Sequence, residues 1–315
     1  MENQKKYLVS SVPHIRRHMS IELQNLLILF ALVPCVVCSI VFYGITALLI
    51  LSVAILSSYL FDMFFSYMIL GHFSFKDFSG VITGTILGLI MPVQIPIYYV
   101  IIASILSIVI AKVMFGGQSR ELVNGPSLGV CVLASLVGGF TAALCAYTTT
   151  AGEIVSPLTI FADGEYGRIA LFDLLIGKGG GLVGTTSALA CIAGAVLLCV
   201  TNVYDYYIPI LSAVAFVFVI MFTKGTATVL PELLCGSFLF VSVFMLPAHS
   251  TSPALWPAKA VYAILFGVLA AVIRQNYIFG EAGVFFCLLL MNVISPLLDM
   301  IMGVLFRGRR VRKYE

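Results

Sequence analysis

The chain is 315 residues long and carries only 17 Lys and Arg and 14 Asp and Glu, a net charge of +3. It is 61% hydrophobic and 10% charged, with a mean hydropathy of +1.11, where soluble domains are about half apolar and a quarter charged. That composition excludes a soluble enzyme, a disordered chain and a nucleic-acid binder, and describes a polytopic membrane protein whose first partner is the lipid bilayer.

Residues 1–25 are polar, with Lys5, Lys6, Arg16 and Arg17, and read as a cytoplasmic N-terminal segment. The apolar run after them is too long for the core of a cleavable signal peptide, so none is expected. A spanning helix needs about 20 apolar residues. Cutting the chain at charges, prolines and glycines gives five candidate spans, at 26–43, 45–61, 80–95, 97–111 and 127–147. A polar segment, 148–185, follows. Five more spans lie at 186–203, 208–223, 229–247, 258–273 and 281–303, before a basic tail at 304–315. The expected fold is all-α, with about ten transmembrane helices. All eight cysteines fall in apolar runs, and the Cys35-x-x-Cys38 pair lacks a second pair of ligands, so both read as small buried apolar residues.

Placing the bases fixes an orientation. With the N-terminus inside, 13 of the 17 bases lie on the inner side and four (Arg168, Lys178, Lys224, Arg274) on the outer side, as the positive-inside rule requires. Both termini are then cytoplasmic, and 148–185, with Glu153, Asp163, Glu165 and Asp173, lies on the outer face.

An internal repeat accompanies this arrangement. Asp77–Pro92 and Glu232–Pro247 each run from an acid through small residues and an apolar stretch to a proline. Each is followed by a span ending in a base (Lys112, Arg274) before a glycine turn. Five spans per half is an odd number, so 26–147 and 186–303 are expected to be inverted repeats with interrupted helices, an architecture that places ligands between the halves.

Three motifs stand out. Gly80, Gly84 and Gly88 share one helix face, which suits close helix packing or a broken helix approaching a ligand. Gly179-Gly180-Gly181-Leu182-Val183-Gly184-Thr185-Thr186-Ser187 leads directly into a span. Its amides and hydroxyls suit either a phosphate or carbonyl-oxygen binding edge or a capped re-entrant turn. No Lys-Ser/Thr follows, so it is not a Walker loop. The third, Thr148 to Thr159, is hydroxyl-rich and suits a covalent attachment site or a solvated loop start. Asp62, Asp77, Glu232, Glu281 and Asp299 fall near predicted span ends, where water is close. No metal-ligand set and no Ser/His/Asp arrangement is present, so metal and hydrolytic catalysis have no support.

The order of these features resembles RnfD, the membrane flavin subunit of the Rnf electron-transport complex, with the NqrB subunit of sodium-pumping quinone reductases as sister family. The resemblance rests on Ser10-Ser11-Val12-Pro13-His14-Ile15-Arg16, on Asp77-Phe78-Ser79-Gly80 through Pro92, and on Lys112 through Gly116-Gly117 and Asn124-Gly125-Pro126. It continues in Gly184-Thr185-Thr186-Ser187-Ala188-Leu189-Ala190 and in Ile273-Arg274 through Met291-Asn292 to Pro296-Leu297-Leu298-Asp299. It implies a bacterial inner-membrane subunit that couples electron transfer between ferredoxin and NAD to sodium or proton translocation, catalyses nothing alone, and works with the other Rnf membrane subunits. It also implies FMN joined through its phosphate to an outer-face hydroxyl by a flavin transferase, and a further non-covalent flavin. Ser156 aligns with the modified residue and Thr159 ends that motif; Gly180, Gly181, Gly184, Thr185, Thr186 and Ser187 form the adjoining flavin-side edge. Three departures are present: Glu153-Ile154-Val155 stands for Ser-Gly-Ala, Thr185 for a glutamate, and Ala248-His249-Ser250-Thr251-Ser252-Pro253 for Ala-Thr-Asp-Pro. The rival reading is a solute transporter or channel of the same inverted-repeat fold that has lost the flavin.

Overall fold

A computed structural model describes residues 20–71, 78–117, 120–136, 146–149, 152–155, 157–162, 164, 166, 169–178, 180–275 and 280–311. Six helices are long and apolar enough to cross a membrane: α1 (Ile21–Tyr43), α2 (Ile45–Ile69), α4 (Ile97–Phe115), α9 (Tyr207–Lys224), α12 (Trp256–Gln275) and α13, whose spanning part is Ala282–Phe306. A seventh crossing is bent by 67° between α10 (Thr226–Leu234) and α11 (Phe238–Met245). Three shorter apolar helices are α3 (Ser79–Leu89), α5 (Gly125–Leu136) and α8 (Ala188–Val200). The protein is a multi-pass membrane protein. Its outward surface is correspondingly apolar, with Phe30, Val41, Phe218 and Phe222 all exposed.

The breaks follow local chemistry. Ser20 caps α1 by accepting from the Leu23 amide. Gly44, at φ 62°, turns α1 into α2, and its amide bonds the Ile40 carbonyl. The third predicted span, 80–95, stops being helical at Leu89, because Pro92 lacks an amide donor and disfavours helix at Met91. The fifth, predicted at 127–147, is helical over Gly125–Leu136; residues 137–145 lie outside the described set, and 146–147 belong to a strand. There Ala146–Thr149 (β1) pairs antiparallel with Gly152–Val155 (β2), Thr148 opposite Glu153. This ribbon departs from the all-α expectation, and its hydroxyl and β-branched residues favour strand over helix. The sixth span, predicted from 186, begins at Ala188 with Ser187 as its cap. Two short helices, α6 (Pro157–Ala162) and α7 (Leu171–Ile176), complete the segment between α5 and α8.

The tightest packing is between α2 and α3, α9 and α12, α12 and α13, and α1 and α8, with α5 against α13. The glycine face of α3 explains the first. A Cβ on Gly80 would stand 2.9 Å from the Asp62 side chain, and one on Gly84 2.6 Å from the Ala54 carbonyl. Of the two readings of this face, close helix packing is the one the contacts display.

Candidate functional site

Gly180, Gly181, Gly184, Thr185, Thr186 and Ser187 are brought together in one buried loop just before α8. In hydrocarbon, unwound backbone persists only where protein satisfies it, and here two breaks satisfy each other. The Gly184 amide donates to the Leu89 carbonyl at 2.7 Å, and the Val183 amide to the Met91 carbonyl at 3.0 Å. These are the carbonyls that the end of α3 leaves without intrahelical partners. Gly184 is required at this crossing, since a Cβ there would stand 2.4 Å from Leu89 Cδ2. From α1, the Tyr43 hydroxyl donates to the Gly181 carbonyl at 2.8 Å. The Ser187 hydroxyl caps α8, accepting from the Ala190 amide at 3.3 Å, and donates to the Leu175 carbonyl of α7. With the Thr185 amide on the Leu182 carbonyl at 3.2 Å, three amides of the predicted binding edge are already engaged. The Oγ1 atoms of Thr185 and Thr186 are buried without a hydrogen-bond partner, an arrangement that costs stability unless something else meets them.

Thr159 lies in α6, and its side chain, like the whole of Ser156, is outside the described residues. Their neighbours locate this stretch. Ser156 falls between β2 and α6. Leu158 and Phe161 of α6 form a small apolar cluster with Leu174 of α7 and Cys235. Helix α7 thus packs on α6 through Leu174 and receives the Ser187 hydroxyl on the Leu175 carbonyl. Leu158 also shares a small pocket with Arg274 and Glu281.

That pocket borders a charged network that the sequence did not single out as a unit. Glu232 accepts from Lys224 Nζ at 2.6 Å and lies 3.2 Å from Arg274 Nε. Tyr166 donates its hydroxyl to the same carboxylate at 3.2 Å. Arg274 also reaches the Cys235 carbonyl at 2.5 Å. Glu281 accepts from the Ser237 amide at 2.9 Å. Gly236, at φ 72° in the bend between α10 and α11, lets Arg274 and Glu281 approach; a Cβ there would meet both at 2.8 Å.

A second buried pair lies near the α3 start. Lys112 Nζ is 2.6 Å from both carboxylate oxygens of Asp62 and 2.5 Å from Ser79 Oγ. Asp62, Glu232 and Glu281 were expected near water; instead they are at most 4% exposed and bound by bases or amides. The reason is that Asp62 and Glu232 have bases on other helices and Glu281 has the Ser237 amide in the bend between α10 and α11, which lowers the cost of burying a charge. Asp299 does a different job, accepting the Ala254 and Leu255 amides ahead of α12. Asp77 lies outside the described residues. Among the described residues no group of three His, Cys, Asp or Glu side chains is placed to hold a metal ion.

The comparisons with known proteins agree with the order of motifs. The NQR2, RnfD, RnfE family profile matches residues 8–304. The D component of the Na(+)-translocating ferredoxin:NAD(+) oxidoreductase complex of Acetobacterium woodii is 28% identical over 304 residues, covering 94% of each chain. The D component of the proton-translocating ferredoxin:NAD(+) oxidoreductase complex of Clostridium ljungdahlii is 25% identical, covering 93% of each. The B component of the Na(+)-translocating NADH-quinone reductase of Chromohalobacter salexigens is 26% identical over 245 residues, 69% of this chain and 56% of that one. Matched over nearly its whole length, the chain belongs to the NQR2, RnfD, RnfE family.

Proposed function

We propose that this chain is the membrane subunit of an Rnf-type complex that couples electron transfer between ferredoxin and NAD to sodium or proton translocation. The observation that carries the reading is the end-to-end correspondence with the D components of two complexes whose names state that coupling. In this reading the chain sits in a bacterial cell membrane with both termini cytoplasmic, beside the other membrane subunits. It has ten membrane segments in two inverted halves. Supporting that count, the six long helices, the bent pair and the three short helices divide into five before β1 and five after α7.

FMN belongs on the outer face, esterified through its phosphate to Ser156 by a flavin transferase. FMN bound there supplies one- and two-electron chemistry that no side chain offers. The residues present suit such a group. Arg274 and Glu281 line a small pocket with Leu158, two positions beyond Ser156; the guanidinium already faces Glu232 and the Cys235 carbonyl, so a phosphate would have to share it with them. The hydroxyls of Thr185 and Thr186, without a hydrogen-bond partner among the described residues, offer hydrogen bonds to an oxygen-rich ligand. A non-covalent flavin is the remaining part of this reading.

The test is expression of the full chain with a flavin transferase, followed by denaturing gel electrophoresis under ultraviolet light. Wild type is expected to fluoresce and Ser156→Ala to be dark. The second reading, a transporter or channel without flavin, is favoured by Glu153-Ile154-Val155 in β2, where the resembling family has Ser-Gly-Ala. Absence of fluorescence in wild type, with no change on Ser156→Ala, would refute covalent FMN at Ser156.

A further inference from the structure

Tyr204 lies just before α9 and Lys224 at its far end, so the region around Tyr204 is at the opposite end of the bundle from the Arg274 network. A cavity of about 150 Å³ opens there. Its walls come from the first turns of α1 (Asn25) and α3 (Ser79, Thr83), the approach to α5 (Glu121), and the turn after α11 (Ser250). Among the described residues Glu121 is the one acid in this lining, and no Lys or Arg lines it. The nearby base, Lys112, is already bound to both oxygens of Asp62 and to Ser79. Among the described residues no ion pair involves Glu121.

The hydroxyl of Ser250 stands 3.4 Å from Glu121 Oε2. That is long for a hydroxyl–carboxylate hydrogen bond, which closes to about 2.5–3.0 Å. The Ser250 hydroxyl therefore holds the carboxylate only weakly and leaves it turned to the cavity. Among the described lining residues one carboxylate stands with the hydroxyls and amides of Asn25, Ser79, Thr83 and Ser250 and the His249 ring; such a lining suits one positive charge, whereas divalent sites gather several carboxylates. We infer that Glu121 and Ser250 form a binding site in this cavity for a sodium-sized monovalent cation, taken up from the inner side as the transported ion. The inference deepens the reading of the chain as an ion-translocating subunit and rests on it.

The site also competes with protons. Burial pushes the Glu121 carboxyl up to about 7; Lys112 and the Ser250 hydroxyl pull it down, and Asp62 pushes it up. The other titratable groups at the cavity are Tyr204, whose phenol is held well above its usual range by burial and by Glu121 itself, and His249, whose ring lies 2.6 Å from the Val203 carbonyl. Near neutral pH, proton and cation therefore contend for one carboxylate.

Equilibrium dialysis of the purified full-length chain against radioactive sodium, in sodium-free detergent buffer, tests this. Wild type is expected to bind sodium at about pH 8, with affinity weakening about tenfold per pH unit below about 7. Glu121→Gln loses that binding, Glu121→Asp retains part of it, and Ser250→Ala weakens it. Sodium binding by Glu121→Gln equal to wild type overturns the site. So does wild-type binding that is independent of pH, which decides the matter even where the variant fails to fold. A Glu121 carboxyl band in infrared difference spectra that titrates near neutrality yet ignores sodium shows a proton site only, and also overturns it. Two outcomes in the assembled complex separate site from function. Pumping by a complex carrying Glu121→Gln removes the site and leaves the function. Sodium binding of the expected form in a complex that moves no ion removes the function and leaves the site.

Discussion

Lys112→Met is the sharpest probe of how this fold tolerates charge among its helices. The ammonium lies 2.6 Å from each oxygen of Asp62, with side-chain exposures of 4% and 6%. At that distance and an effective dielectric of about 20, the attraction is about 6 kcal/mol, most of it offset by desolvation of the two groups. Removing one partner leaves the other charge buried and unmatched, which costs about 3–5 kcal/mol. Asp62→Asn strands Lys112 in the same way. The double variant Asp62→Asn/Lys112→Met removes both charges, and Ser66 and Ser79 remain to bond the new amide, so its loss is expected near about 1 kcal/mol. Buried free cysteines, Cys35, Cys131, Cys191, Cys235 and Cys287, give the readout: a thiol-reactive fluorophore reports their exposure as the detergent-solubilised chain is heated. At about 2 °C per kcal/mol for a chain of this size, each single variant melts about 6–10 °C early and the double variant within about 2 °C of wild type. Single variants that melt like wild type, or a double variant as unstable as the two losses added, would refute this account of the pair.

Three further outcomes follow from particular contacts. Gly267→Ala places a methyl 2.2 Å from the Ser212 carbonyl where α12 crosses α9, and overpacking of that kind costs about 1–3 kcal/mol; Gly303→Ala, with its nearest neighbour at 3.9 Å, is the neutral control in the same melt. Tyr43→Phe takes the donor from the Gly181 carbonyl, a loss of about 1–3 kcal/mol, and should loosen the 180–187 loop to proteolysis or hydrogen exchange before it affects the rest of the bundle. In sodium-free buffer, the Glu121 contribution to stability, read as wild type minus Glu121→Gln, falls as pH rises from about 4.5 through about 7, because the folded chain, with Glu121 raised to about 7, holds a proton that the unfolded chain has released. The size is at most about 3 kcal/mol, less what water in the cavity screens. A difference that rises or stays flat over that range contradicts it.

Hydropathy and punctuation located the membrane segments well, because apolar length and proline or glycine breaks are local properties. Gly44 turned α1 into α2 and Ser187 started α8 within two residues of the expected position, while Pro92 ended α3 six residues before the expected end at 95. The fifth segment was misread at its end because the residues leading into Thr148 and Thr149 are apolar enough to pass for helix, while their pairing with Gly152–Val155 is a tertiary fact. The glycine loop was visible as a loop, but not the use of its Gly184 and Val183 amides by carbonyls almost a hundred residues earlier. The ion pairs were hidden for the same reason. Lys112 and Asp62 are 50 positions apart, and Glu232 and Arg274 lie in different segments, so their charges read as span ends beside water. Glu121 gave no local signal, since an acid in a short loop is ordinary until a cavity surrounds it.

The proposed inverted halves make these clusters comparable position by position. The first helices of the two halves, α1 and α8, pack on one another, and so do the last, α5 and α13, as an axis between the halves requires. In each half the base ends the fourth segment: Lys112 on α4 and Arg274 on α12. The acid that answers it moves between elements, from Asp62 on the second helix to Glu232 on the third segment, where Lys224 of the second helix joins. A further acid precedes each final helix, Glu121 before α5 and Glu281 before α13. Here the halves diverge. Glu281 is held by the Ser237 amide and is 2% exposed, while Glu121 meets only a hydroxyl at 3.4 Å and borders a cavity. A carboxylate fixed by backbone can only position its neighbours, whereas one that faces a cavity, with no ion pair among the described residues, has room for a cation. Equivalent positions in the two halves thus have different chemistry: the acid before α13 is held by backbone, and the acid before α5 lines the cavity of the proposed cation site. The proposed coupling of redox chemistry on one face to ion uptake on the other would draw on that asymmetry.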